Sequence, residues 1–212
     1  LASRLDLELI EVDPGEQADA QYLANRPDRC FHCKSNLYRV LRAEADRRSI
    51  EQIANGTNLD DLGDERPGLR AAEQAGLISP LLEARLGKAD VRAVAEYLGL
   101  PNAQKPAAAC LASRLPFGTQ VTPQRLAMVE KAESFLKELG FSGGRVRHHQ
   151  SMARIELPAD QMTRMLEPAV RESVFGRLRE LGFMQVTLDL GGYRSGGAHR
   201  PVQVRVESNS KK

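Results

Sequence analysis

The thiols of this chain stand at two places: Cys30 and Cys33, a CxxC within RCFHCKSNLY, and Cys110 within KPAAACLASR. Thiolates are soft ligands that select zinc, copper(I) or iron-sulfur clusters, and a CxxC supplies two of them at metal-ligand spacing. Three readings stay open. A [4Fe-4S] cluster held by three cysteines leaves one iron free for a substrate or an external sulfide. Zinc requires a fourth protein ligand, for which His32 is at hand, although the short CxxC turn makes ligation by an adjacent residue awkward. In the third reading the pair are buried or helix-capping thiols with no chemistry. Cys110 is either an inert small hydrophobe or a reactive thiol. Its setting favours access: Ala107 to Ala109 bury little area, Pro106 disfavours helix before it, and Lys105 and Arg114 supply cations that stabilise thiolate.

These residues need elements to position them. Apolar Leu37, Val40 and Leu41 recur at helical spacing across Cys33 to Arg48, which sets the CxxC at a helix N-terminus, where free amides and the positive dipole end favour anionic sulfur. Gln52 to Ala54 reads as a short buried strand entering NGTNLDDLGDERPGL, a run of turn formers and carboxylates. Such a loop at a strand's carboxyl end suits a nucleotide or Mg contact through Gly56, Thr57 and Asp61, with a plain acidic surface loop as the alternative. Ser79 to Leu82 reads as another strand. Lys88 to Leu98 reads as an amphipathic helix (Val91, Val94, Ala95, Leu98) stopped by Gly99 and Pro101. The opening LASRLDLELIEVDP reads as a helix tail followed by a strand, LELIEV, so the chain is expected to begin inside a domain. Strands alternating with helices predict a parallel α/β layer over residues 1 to about 104.

Beyond Cys110 the pattern changes. Thr122 and Pro123 form an N-cap and first-turn pair for a helix with the stripe Val129, Ala132, Leu136, Leu139, ended by Gly140. Two alternating strands, RVRHH and ARIELP, a helical stretch to Leu181 and a strand QVTLDL follow, an α-β-β-α-β order that predicts a small α+β domain. Alternation puts Arg145 and Arg147 on one face and Arg154 and Glu156 on one face of the next strand, so a shared face gathers three guanidiniums. Guanidinium forks suit phosphate and carboxylate. A solvated face with Arg/Glu cross-strand pairs is the bland alternative. Adjacent His148 and His149 point to opposite sides. GGYRSGG offers backbone amides to an anion, with Arg194 its most informative member, and order is expected to weaken from Pro201 onward.

Composition narrows the function classes. The 212 residues are 42% apolar and 27% charged, and no run approaches the ~18 to 20 apolar residues of a membrane span. Thirty basic and 28 acidic residues give a net charge of +2, interleaved along the chain, which argues against a nucleic-acid partner bound through a basic field. Three cysteines without a secretory signal fit a reducing cytoplasm.

RCFHCKSNLY, ANGTNLDDLGDERPGLRA, SPLLEARLGKADVRAVAEYLGLP, KPAAACLASRLPFGTQVT, RVRHHQSMARIELP and VTLDLGGYRSG together resemble the ATP-dependent sulfur transferases of the LarE type, a PP-loop pyrophosphatase family. The resemblance implies a PP-loop, Rossmann-like adenine-nucleotide-binding parallel sheet over residues 1–116, a smaller α+β domain over 117–197 and a tail over 198–212. It also implies a reaction: carboxylates of a pyridinium mononucleotide are adenylated with ATP and Mg and converted to thiocarboxylates for a nickel-pincer cofactor. A tRNA-thiolating PP-loop enzyme and a zinc-stabilised binding module without catalysis are the alternatives. The family's SGGxDS loop is absent, so the N-terminal part of the sheet is expected to be missing and this fragment is expected not to hydrolyse ATP.

Some members sacrifice one cysteine in the segment matching KPAAAC, a position that aligns nearer Ala109. Others hold a [4Fe-4S] cluster on three cysteines that match Cys30, Cys33 and Cys110, and this sequence resembles the second kind. The resemblance further implies catalytic roles for Cys110 and Glu133 and nucleotide contact at Gly56, Thr57 and Asp61. Substrate binding falls to Arg114, Arg145, Arg147 and Arg194. A cytoplasmic homo-oligomer with no membrane and no nucleic-acid partner completes the expectation.

Overall fold

A computed structural model describes residues 1–63, 67–105 and 109–193. The chain divides into two compact units, Leu1–Ala109 with Gln120–Thr122, and Cys110–Thr119 with the described part of Pro123–Lys212.

The first unit is helical. Its helices are α1 (Ala20–Leu23), α2 (Arg29–Arg47), α3 (Pro67–Gln74), α4 (Pro80–Glu83) and α5 (Lys88–Tyr97). Asp19 caps α1 by accepting the Gln21 N–H at 2.8 Å and also holds Asn36 of α2 at 2.7 Å. Burial pushes the Asp19 carboxyl up, but the bonds from Asn36 and the Gln21 and Tyr22 amides outweigh it and hold it below the usual range. Helices α2 and α3 pack around Tyr38, Ala71 and Ala72, with Phe31, Leu37 and Leu41 against them. The approach is close enough that a Cβ at Gly68 would meet Lys34 Cγ at 3.3 Å.

The parallel layer expected here is reduced, among the described residues, to one parallel bridge, Ala54 to Ile78. LELIEV is not a strand: Leu7, Leu9 and Ile10 are exposed, and their alternation finds no neighbouring strand to pair with among the described residues. Ser79 to Leu82 is not a strand either. Pro80 sets a helical φ at the first position of α4, and a four-residue segment with two leucines carries no period strong enough to oppose it. Helix α5 forms as expected and ends at Gly99 (φ 63°), yet Val94 and Leu98 of its stripe remain exposed.

The second unit follows the expected order. A 3-10 turn (Leu111–Arg114) precedes α6 (Pro123–Glu138), then come β1 (Arg145–His149), β2 (Met152–Glu156), α7 (Ala159–Met165), α8 (Pro168–Glu180) and β3 (Gln185–Leu188). Val129, Ala132 and Leu136 of α6 are buried, and Gly140 at φ 84° closes it with the Phe141 N–H returning to the Leu136 carbonyl. Strands β1 and β2 are antiparallel and β2 and β3 parallel, in the order β1-β2-β3. Val146, Ala153, Ile155 and Leu157 pack on Leu136, Phe141, Val174, Leu178 and Phe183 to form the core. The pleat then sends Arg145, Arg147, Arg154 and Glu156 to the other face, because Arg145 lies opposite Glu156 and Arg147 opposite Arg154. Residues from Arg194 onward, including the expected tail, lie outside the described residues.

Candidate functional site

Cys30 and Cys33 belong to the first unit and Cys110 to the second. At the N-terminal end of α2 the pair sit three residues apart, hence on one helix face, where the Arg29 and Phe31 amides already donate to the Arg26 and Asp28 carbonyls at 2.9 and 2.8 Å. None of the three cysteines is in a disulfide; Cys30 and Cys110 are exposed and Cys33 is half-buried. His32 turns its Nε2 to Asp28 Oδ2 at 3.3 Å and its ring edge to Phe31. Among the described residues of this unit no three His, Cys, Asp or Glu gather into a metal-ligand set. The CxxC there presents two sulfur atoms on one helix face, one exposed and one half-buried.

The acidic loop is bonded to itself and to α5. Asn55 Oδ1 accepts the Thr57 N–H at 2.9 Å and the Ser79 hydroxyl at 3.0 Å, and Asp61 Oδ2 accepts the Asn58 N–H at 3.1 Å. Asp60 Oδ2 takes the Lys88 N–H at the start of α5 at 2.5 Å. Around Gly56 the space is open, with no atom of the other described residues, its chain neighbours aside, within 4 Å of where a Cβ would stand.

In the second unit several expected site residues meet in one network. Arg114 is buried and forks onto Glu133, Nε to Oε1 at 2.8 Å and Nη2 to Oε2 at 3.0 Å. Its Nη1 reaches back to the Cys110 carbonyl at 3.2 Å and the Ser113 hydroxyl at 3.0 Å. Glu133 Oε1 also accepts the Val146 N–H at 3.1 Å, so α6 ties the Cys110 segment to β1. Arg147, buried as well, donates from Nη1 to the Ser113 carbonyl at 3.0 Å and from Nε and Nη2 to Glu156 Oε2 at 3.0 and 2.8 Å. The other oxygen of Glu156 takes Arg154 Nη2 at 2.9 Å, and Arg154 Nε lies 3.4 Å from Asp189 Oδ2. Both carboxylates thus spend their oxygens holding guanidiniums.

Arg145 differs. Its Nη1 donates to the Gly144 carbonyl at 2.8 Å and its Cζ lies 5.2 Å from the Tyr193 ring centroid, while no carboxylate pairs with it among the described residues. His149 shares this face, and burial first, then the Arg154 charge, lowers its pKa. His148 turns to the core edge-on to Phe183, with Nδ1 buried and unpartnered; burial first and then the Arg125 charge lower its pKa.

Cys110, Arg114, Glu133 and Arg147 therefore stand in one network, with Arg145 on the same strand face; Gly56, Thr57, Asp61, Cys30 and Cys33 belong to the first unit. Arg194 lies outside the described residues. Sequence reasoning missed Ser113, Asp189 and Tyr193. Ser113 acts partly through its carbonyl, which leaves no trace in a sequence, whereas Tyr193 stood in GGYRSGG beside the arginine that drew attention.

No family model matches the chain. An uncharacterized protein of Synechocystis is 41% identical over 189 residues, which take in 89% of this chain and 70% of that protein. A pyridinium-3,5-bisthiocarboxylic acid mononucleotide synthase of Lactiplantibacillus plantarum is 42% identical over 172 residues, 81% of this chain and 62% of that enzyme. An uncharacterized protein of Methanocaldococcus jannaschii is 30% identical over 191 residues, 90% of this chain and 71% of that protein.

Proposed function

The chain belongs to the LarE family, and from that premise we propose that it serves an ATP-dependent sulfur transfer that turns carboxylates of a pyridinium mononucleotide into thiocarboxylates for a nickel-pincer cofactor. The observation that carries the reading is Arg145, a guanidinium without a carboxylate partner among the described residues, on the strand face beside the network that holds the Cys110 segment. A phosphate or carboxylate docks against such a donor fork.

In this reaction ATP, with Mg, adenylates the substrate carboxylate and pyrophosphate leaves; sulfide sulfur then attacks the acyl carbon and AMP departs. Arg145 binds substrate, with Arg194 as the further arginine the family supplies. Arg114 and Glu133 hold the Cys110 backbone so that its thiol keeps a fixed place relative to β1. Arg147 does the same through the Ser113 carbonyl. Cys30, Cys33 and Cys110, none of them in a disulfide, are assigned by the family resemblance to a [4Fe-4S] cluster, which would supply a coordination position able to carry sulfide. The Gly56, Thr57 and Asp61 segment is assigned to the nucleotide, the open space at Gly56 being its point of approach.

The chain spans 62 to 71% of the length of these relatives. Self-association and a cytoplasmic setting belong to the same proposal. Among the described residues no helix is long and apolar enough to cross a membrane. Iron and acid-labile sulfide in anaerobically reconstituted full-length protein, with thiocarboxylate formed from ATP and the dicarboxylated mononucleotide, is the expected result. Zinc in place of iron together with no nucleotide binding would overturn it in favour of a binding module. Loss of hydrogen sulfide from Cys110 after one turnover would replace the cluster with a sacrificial cysteine.

A further inference from the structure

The turn after β3 is more tightly built than a surface connection needs to be. The Asp189 N–H donates to the Ile155 carbonyl at 2.8 Å and the Tyr193 N–H to the Leu157 carbonyl at 2.9 Å, so the turn is bonded to β2 and its extension at both ends. Between them the Gly192 N–H returns to the Asp189 carbonyl at 3.0 Å and the Gly191 N–H to Asp189 Oδ1 at 2.8 Å. Gly192 sits at φ 67°, where a Cβ would stand 2.9 Å from the Leu157 carbonyl oxygen, so only glycine fits. Asp189, which shapes the turn, is itself held by Arg154. This construction holds the Tyr193 backbone, and the ring, 36% exposed, lies against the Arg145 guanidinium.

We propose that Tyr193 is a specificity-determining residue whose ring face reads the positive charge of the substrate's pyridinium while Arg145 takes its phosphate, an inference that rests on the function proposed above. A pyridinium mononucleotide is a flat permanent cation joined through ribose to a dianion. It needs an anion receptor and an aromatic face side by side, and Arg145 with Tyr193 supplies that pair. Alone, the guanidinium already occupies the ring quadrupole. Once a phosphate neutralises Arg145, the electron-rich ring is left to a second cation, and a neutral ring in the same nucleotide would gain no such attraction.

The test is equilibrium binding of nicotinamide mononucleotide and of ribose 5-phosphate to the full chain and to Tyr193→Phe and Tyr193→Leu. The first probe carries the pyridinium, ribose and phosphate; the second lacks the pyridinium. Tyr193→Leu is expected to weaken the mononucleotide about 5- to 30-fold while leaving ribose 5-phosphate unchanged, and Tyr193→Phe to bind both like the parent. Equal weakening of both probes in Tyr193→Leu would overturn the proposal, since the ring would then only seat Arg145. Unchanged binding of both would overturn it as well. Failure of the parent to bind either probe, with its circular dichroism intact, would instead overturn the anion site and the function built on it.

Discussion

Replacing Glu156 by alanine removes a buried carboxylate from between two guanidiniums. Glu156 Oε2 accepts two hydrogen bonds from Arg147 and Oε1 accepts one from Arg154, and the side chains of Glu156 and Arg147 are 7% and 8% exposed. Deleting one partner of a buried pair leaves the other charge uncompensated, at about 3–5 kcal/mol. Arg154, about a third exposed, can turn to water and to Asp189 and adds little. The expected loss is therefore about 3–5 kcal/mol for the second unit, with Glu156→Gln nearer half of that because one oxygen acceptor stays. Two units need not unfold together, so a single melting curve is the wrong measurement. Hydrogen exchange of peptides covering β1 and β2 reads the unit directly. The double variant Glu156→Leu with Arg147→Met should recover most of the loss, because both charges go together. A Glu156→Ala loss under about 1 kcal/mol, or no recovery in the double variant, would refute the claim that this pair is buried and coupled.

Burial and the Arg125 charge hold the His148 pKa below its ordinary 6.5, so the unfolded chain binds the proton more readily. Its contribution to stability is full above about 6.5 and is lost as pH falls through the folded value; His148→Phe, which also removes the orphaned Nδ1, should flatten that acid slope in pH-dependent urea titrations. Leu178 is wholly buried in the second unit's core, and Leu178→Ala should cost about 2–5 kcal/mol by exchange of β2 amides. Glu133→Gln should leave Cys30 and Cys33 alkylation rates unchanged while altering that of Cys110, whose backbone is held through Arg114; mass spectrometry of labelled peptides checks this. Removing iron with a chelator from the reconstituted full-length protein should abolish repeated turnover and return alkylation at Cys30 and Cys33, whereas unchanged turnover would speak against the cluster.

The second unit was legible in the sequence because several local signals agree. Pro123 opens α6, Gly140 closes it, and the alternation of RVRHH and ARIELP fixes a register in which one face must be buried. The first unit was legible only in its longer helices. Short segments such as Leu7–Val12 and Ser79–Leu82 carry too little pattern to hold a state of their own, so partners decide it. One met no partner among the described residues, and the other met a proline that starts a helix. The arginine face was legible as a face, since alternation demands it. What each guanidinium does there was not, because that depends on which carboxylates arrive with it, and Asp189 comes from beyond another strand.

Register explains why two arginines on one face of one strand differ. Arg147 lies opposite Arg154, and like charges placed directly opposite across a strand pair are unfavourable. Glu156 resolves this by giving one oxygen to each, and Asp189 adds a second anchor for Arg154. Both oxygens of Glu156 are then committed, although its Cα partner is Arg145. Arg145 is thereby deprived of the carboxylate that the register alone would give it. Among the described residues it is left with the Gly144 carbonyl and the Tyr193 ring, neither of which cancels its charge. The same pairing that makes Arg147 a strut for the Cys110 segment leaves Arg145 without a carboxylate among the described residues, which is what the proposed anion contact requires.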